Sequence, residues 1–188
     1  MGLISNIRRF FRNFLLNRAI KGSGRVRRVV EYAPGKQVLV LFDASDAHQQ
    51  SAIDYLAQTF HADEIKAMYL GYVPKSAKYI QGIDNEEDIR YVHRKDLSWI
   101  MKPAHKDLQH FLAGPYDILL DLSHYRHFPI KCIAAWVYAS FKVGVHHGES
   151  LAVYDLTLKV DDAYPADELA RQAIHYLKIL KTPAAHVK

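Results

Sequence analysis

The chain has 188 residues, with 25 Lys+Arg against 20 Asp+Glu, a formal net charge of +5, 49% hydrophobic residues and 24% charged ones. This is the balance of a globular chain, not a disordered one, and the length suits one domain of about 150 residues with an extension. A single cysteine excludes an internal disulfide framework, no Cys/His spacing fits structural zinc, and no apolar run approaches the roughly 18 residues that span a bilayer.

The charge is unevenly placed. Residues 1–30 carry Arg8, Arg9, Arg12, Arg18, Lys21, Arg25, Arg27 and Arg28 with no acid, a charge of +8, which leaves −3 for the other 158 residues. At 100° per residue, Leu3, Ile4, Ile7, Phe10, Phe11, Phe14 and Leu15 fall on one face, and Ser5, Arg8, Arg9, Arg12 and Asn13 on the other. The pattern predicts a basic amphipathic helix to about Ile20, broken by Gly22-Ser23-Gly24. Residues 1–33 therefore read as an arm and linker, 34–182 as the folded domain and 183–188 as a tail. Four roles fit the arm: packing of its Phe/Leu face on its own domain or a sister subunit, docking on an anionic membrane surface, phosphate binding on RNA or a ribosome, and a transit peptide. Arginines interrupt every apolar run, which excludes a secretory signal, and Asn6 stands where myristoylation favours Ser or Thr.

Pro34-Gly35 marks the entry to the domain, and Gln37-Val-Leu-Val-Leu-Phe42 reads as a strand buried on both faces. Ser45 or Asp46 is placed to cap the next helix, in which Ile53, Leu56, Ala57 and Phe60 recur at helical spacing. A strand over 64–73 follows, then a polar loop over 75–88 and a short edge strand over 89–93. Pro103 is placed in the first turn of a helix with Ala104, Leu108, Phe111 and Leu112 inward. Tyr116 to Leu122 is another buried strand. Pro129 opens a helix to Ser140 whose only charge is Lys131, so it is expected to be deeply buried or covered, with a protein partner or second copy over Ile130–Ala139 as one cover. Strands over 141–145 and 153–160 and a helix over 165–180 complete the chain. The order predicts an α/β fold, a single three-layer Rossmann-like domain with a mostly parallel sheet and right-handed crossovers.

Ligands of such sheets bind beyond the carboxyl ends of the strands. This places Asp43, Ser45, Asp46 and His48 after the first strand, Asp121, Ser123, His124, Tyr125, Arg126 and His127 around the end of the fourth, and His146, His147 and Glu149 after the fifth. Asp43 and Asp121 are candidates to share a cation or a proton across adjacent strand ends, and His124, His146 and His147 to act as acid or base. Ser45, Asp46, His48, Ser123 and His147 are candidate crevice residues; helix capping and exposed turns account for the same residues without a ligand. The loop Asp43-Ala-Ser-Asp-Ala-His-Gln-Gln has no glycine, so the common NAD and ATP loops are disfavoured and neither cofactor nor metal is expected. Cys132 reads as a buried inert thiol, and there is no Gly-x-Ser-x-Gly elbow and no DNA-specific motif.

Val38-Leu-Val-Leu-Phe-Asp-Ala-Ser45, Asp96-Leu-Ser-Trp99 with Lys102-Pro103, Phe111, Tyr116-Asp-Ile-Leu-Leu-Asp-Leu122, Lys142-Val-Gly144 and Tyr154-Asp155, with the basic arm, resemble a Bacteroidetes domain-of-unknown-function family over nearly the whole chain. The resemblance implies a bacterial cytoplasmic protein and brings no activity or site residues. A weaker likeness joins Tyr116–Leu122 and Val143-Gly144 to the N-terminal half of heptosyltransferase-type glycosyltransferases, which need a second domain for the nucleotide sugar. The Phe42-Asp43-Ala44-Ser45 turn is similar to that of universal stress proteins, without their glycine-rich loop. The leading expectation is a non-catalytic binding or adaptor module, docking through Arg8, Arg9, Arg12, Arg18, Arg25, Arg27, Arg28, Phe10, Phe11 and Phe14 on an anionic surface. A membrane, peripherally on the inner face, is placed ahead of RNA or the ribosome, and the arm is expected to be removable without unfolding the body. The alternative is a small-molecule-binding or glycosyltransferase-like enzyme using the crevice.

Overall fold

The computed structural model describes residues 3–74, 87–123, 127–146, 153–161 and 164–180, with side chains from Phe10 onward. Its centre is a six-stranded sheet, β1 (Gln37–Asp43), β2 (Lys66–Val73), β3 (Ile89–His93), β4 (Tyr116–Asp121), β5 (Ala139–Val145) and β6 (Leu156–Leu158), in the order β3-β2-β1-β4-β5-β6. Every pair is parallel. The order reverses between β1 and β4, which opens a crevice between two strands whose connections leave in opposite directions.

Helices cover both faces. The side chains of Val38, Val40 and Phe42 pack with Ala52, Ile53, Leu56 and Phe60 of α2 (Gln49–Ala62) and Leu169, Ala173 and Leu177 of α5 (Ala166–Ile179). Leu39, Leu41 and Leu119, one residue out of step and so on the other face, pack with α4 (Phe128–Trp136), with Leu112 of α3 (Lys106–Leu112) and with α1 (Leu3–Ser23).

The seating of α1 corrects the reading of a separable arm. Leu15, Leu16 and Ala19 are buried, whereas Phe10, Phe11 and Phe14 are exposed, so the face that docks is rotated away from the phenylalanines. The seat is α4, whose Cys132, Ala134 and Ala135 are small and buried. Small residues let two helix backbones approach closely, and Gly22 continues the stripe at helical spacing: a Cβ there would lie 2.5 Å from the Trp136 ring. Arg12 lies over the Phe128 ring at the other end of α4, so the two helices run in the same direction. What covers the apolar α4 is thus α1 of the same chain.

Gly24 leaves α1 in the left-handed region (φ 58°), and the linker then crosses the sheet's lower edge. Arg25, its side chain 6% exposed, makes a two-point ion pair with Asp155 (2.7 and 2.9 Å) and donates to the carbonyl oxygens of Val153 (3.1 Å) and Ser140 (3.4 Å). The Arg28 N–H donates to Ser140 O, and Val30 enters the core on the α2/α5 side.

Other boundaries differ locally. α4 stops at Trp136 and β5 begins at Ala139, where the sequence predicted helix to Ser140. Lys142, buried on β5, sends its ammonium to Ala134 O (2.7 Å) and Ala135 O (3.3 Å), the free carbonyls at the end of α4. Pro103 bridges to Leu97 ahead of α3 instead of starting it, Ala57 and Ala104 are exposed, and β6 is only three residues long. Most of the predicted polar loop over 75–88 lies outside the described residues.

Burial, reinforced by Arg25 and Arg27 and opposed by Asp155, lowers Lys142 from its ordinary 10.5 to about 7. Between those values the unfolded chain holds a proton that the folded chain lacks, so stability rises with pH across that window. Lys142→Met removes this dependence. In urea unfolding, its stability relative to the parent should be highest at pH 7 and below and should fall steadily toward pH 10.

Candidate functional site

The carboxyl ends of β1 and β4 each bear a buried aspartate: Asp43 is 4% exposed and Asp121 2%. Both alternate with residues of the α4-side core, so both side chains lie on that face, beneath the N-terminus of α4. The two have separate partners among the described residues. Asp43 Oδ1 accepts from the Ser45 N–H (2.9 Å) and Ser45 Oγ (2.6 Å), and its Oδ2 lies 3.1 Å from His127 Nε2. Asp121 Oδ1 accepts from the Ser123 N–H (2.9 Å), and its Oδ2 accepts from the Tyr154 hydroxyl. Burial raises the Asp121 carboxyl above its ordinary range, against the donors from Ser123 and Tyr154. Gly144 makes the latter contact possible, because a Cβ on it would sit 2.6 Å from the Tyr154 ring that crosses β5.

His127, immediately before α4, meets Asp43, and nothing in the sequence pattern sets it apart from the histidine three residues earlier. The His127 ring is 28% exposed and tilts against Tyr72 at a centroid distance of 5.4 Å. The distance to Asp43 is short, but the ring N–H does not aim well enough to satisfy Oδ2, which stays buried without a hydrogen bond. Ser123 Oγ is also buried, and the Ser123 side chain acts with its N–H to hold the Asp121 carboxyl down against its burial. The His127 imidazole and the Asp43 carboxylate thus stand side by side where the end of β1 meets the start of α4.

The other candidates separate from this centre. Ser45 serves Asp43, and neither it nor Asp46 caps α2; Asp46 Oδ1 accepts from the His48 N–H (2.8 Å) at that helix's start. The His48 ring is exposed, 3.9 Å from Asp167 Oδ1 of α5. His146 is half-buried, and its N–H extends the sheet by donating to Leu158 O (2.8 Å). His124, Tyr125, Arg126, His147 and Glu149 lie outside the described residues. Among the described residues, no three His, Cys, Asp or Glu side chains gather as metal ligands. The Cys132 thiol is buried and pushed up to about 12 by that burial, as an inert thiol should be.

The second candidate is the outer surface of α1. Phe10 is 75% exposed, Phe11 and Phe14 are exposed beside it, Arg18 and Lys21 follow at helical spacing on the same face, and Arg12 is exposed over Phe128. Arg25 is turned inward, Arg27 stands 3.7 Å from Asp155, Arg28 is exposed, and the side chains of Arg8 and Arg9 lie outside those described. Among the described residues no helix is long and apolar enough to cross a membrane.

The chain belongs to a family of unknown function (DUF6913), whose sequence profile matches residues 8–180 and so takes in most of α1. No curated protein matches it. Among solved structures it is similar to the E. coli heptosyltransferase WaaC with ADP, at 17% identity and a TM-score of 0.48, over 80% of this chain and 49% of that one. The chain thus spans about half the length of that structure.

The pairing of His127 with Asp43 has a measurable signature. His127→Ala removes the imidazole that stands 3.1 Å from the buried Asp43 Oδ2 and should destabilise the chain in urea unfolding. In the double variant with Asp43→Asn the two losses should be less than additive, since removing the carboxylate also removes what the imidazole served.

Proposed function

We propose that the protein is a binding module that docks on anionic lipid surfaces through the outer face of α1. The observation that carries the reading is the division of that helix. Leu15, Leu16 and Ala19 are spent on the protein's own core, and Phe10, Phe11 and Phe14 are left in water with Arg18 and Lys21 on the same face. Three exposed phenylalanines on one helix are a large apolar surface for a single chain to leave in solvent, and bulky apolar groups beside basic ones match the boundary between acyl chains and anionic headgroups. RNA phosphates would use the cations but would leave the phenylalanines wet.

Removing residues 1–30 is a poor test, because it strips the cover from α4. Substituting the exposed residues is a clean one. The full chain should sediment with vesicles of phosphatidylcholine mixed with phosphatidylglycerol and less with phosphatidylcholine alone. Phe10→Ser, Phe11→Ser and Phe14→Ser together should weaken this by about a hundredfold or more, at roughly 1.5–3 kcal/mol for each aromatic ring fully buried. Retention of full vesicle binding by the triple variant, or sedimentation of the parent with ribosomal RNA and not with anionic vesicles, would overturn the reading.

A second reading is favoured by Asp43 Oδ2, buried at the switch point of the sheet without a hydrogen bond among the described residues, and by Ser123 Oγ, buried at the end of the neighbouring strand. Buried polar groups are ordinarily satisfied, and a small molecule with hydrogen-bond donors laid over the carboxyl ends would satisfy the first and reach the second. In a thermal-shift screen of sugars, polyols and amines, such a ligand should raise the midpoint of the parent and not that of Asp43→Asn.

A further inference from the structure

The segment between β3 and α3 is short of regular structure and unusually well tied. After a single 3-10 turn over Arg94–Asp96, Arg94 Nη1 donates to Leu97 O (2.8 Å) and Ser98 O (3.3 Å). The Ser98 N–H donates to Lys102 O (2.8 Å), and the Lys102 N–H returns to Ser98 Oγ (3.1 Å). The Met101 N–H donates to Ser98 O (3.0 Å), and Met101 itself is left-handed, with φ 58°. This is a three-residue hairpin loop, a turn followed by a left-handed residue, closed by the Leu97–Pro103 bridge and rooted by buried Leu97. A non-glycine residue in that region carries strain, so the surrounding bonds hold the loop in one shape.

What this scaffold presents is Trp99, at the first position after Ser98 and 70% exposed. Its ring stacks on Phe11 of α1, with centroids 6.4 Å apart and planes 18° apart. The loop and the exposed face of α1 therefore form one surface. Its surroundings repeat the chemistry of the helix: residues 94–106 contain Arg94, Lys95, Lys102 and Lys106 and one acid, Asp96, whose carboxylate is turned to the His93 N–H (2.8 Å). Lys95 and Lys102 are exposed on either side of the turn.

We propose that the Trp99 loop is a second lipid anchor, entering the headgroup region beside α1 and fixing the orientation in which the protein lies on an anionic bilayer. This rests on the docking reading above and adds a residue and a geometry to it. Indole is the side chain best suited to the boundary, with an apolar body and one N–H for the wet side. One helix alone leaves the protein free to roll about its axis. A rigid aromatic point beside it, with cations flanking both, defines a plane.

The test uses the full chain and the difference in emission between the parent and Trp99→Phe, which isolates Trp99 from Trp136. With phosphatidylcholine–phosphatidylglycerol vesicles, the Trp99 emission should shift to the blue and be quenched by lipids brominated near the headgroup. Trp99→Ser should keep the parent's circular dichroism and thermal midpoint and bind these vesicles about tenfold more weakly. Full vesicle binding by the parent with Trp99 emission unchanged would overturn the anchor while leaving α1 docking intact. Failure of the parent to bind would overturn both. A blue shift that grows with protein concentration in the absence of lipid would overturn the anchor in favour of contact between copies of the chain.

Discussion

An apolar helix cannot face water, and the arrangement of this chain follows from how α4 avoids doing so. Four of its residues from Cys132 to Ala135 are buried, yet α4 is an outer-layer helix with the sheet on one side only. Its other side is closed by α1, and the closeness of the two depends on small residues at the contact, Ala19 and Gly22 on one helix, Ala134 and Ala135 on the other. The cover is then locked from below by Arg25, whose guanidinium joins the linker to Asp155 and to the backbone at Ser140 and Val153. Asp155 in turn accepts the Lys142 N–H, and the Lys142 ammonium holds the end of α4. One chain of contacts thus runs from the linker through β6 and β5 to the helix that α1 covers. The family profile, which begins at residue 8, is consistent with a domain that includes this helix.

This constraint redistributes the charge. The +8 of the first 30 residues reads as a uniform basic arm, but its members do different things. Arg25 is structural, Arg27 stands toward the same aspartate, and Arg12 lies over Phe128 while remaining exposed. A guanidinium committed to a bidentate, largely dehydrated pair is not available to a lipid or a phosphate. Among the described side chains of α1, the charge offered beside the outward rings is that of Arg18 and Lys21, with Arg12 exposed over Phe128 and Arg28 exposed in the linker.

The core strands were legible because burial on both faces leaves a continuous apolar run: Val38–Phe42 and Ile118–Leu122 could be little else. The edge position of β3 followed from its charged and tyrosine-containing five residues. The buried face of α1 was not legible, because periodicity ranks residues by hydrophobicity, whereas the contact with α4 selects for small size at Ala19 and Gly22. The end of α4 was hidden for a related reason. Val137 and Tyr138 continue an apolar pattern, and the stop is made by Lys142 six residues beyond Trp136, through tertiary contact alone. In the crevice, Asp43, Asp121 and Ser123 were legible from their places at strand ends. His127 shares its short loop with His124, and the signal that marks it, its position one residue before the helix and the buried Asp43 behind it, exists only once β1 and β4 are neighbours.

The two candidate sites meet at one residue. Because α1 runs in the same direction as α4, its N-terminal half lies at the sheet's carboxyl end, where Arg12 sits over Phe128. Phe128 follows His127, and His127 stands over Asp43 at the switch point. The loop bearing Trp99 also leaves the carboxyl end of β3, and it reaches Phe11 from the other side. A surface that engages Phe10, Phe11, Phe14 and Trp99 would therefore lie against the same end of the molecule as the crevice, not against its base or its β6 edge. In such an orientation, whatever occupies the space above Asp43 and Ser123 would approach along the bilayer or be shielded by it. Movement of α1 relative to α4 would be felt first at Phe128 and His127. If α1 is the docking element, the helix that covers α4 would also reach the crevice, through the contact of Arg12 with Phe128.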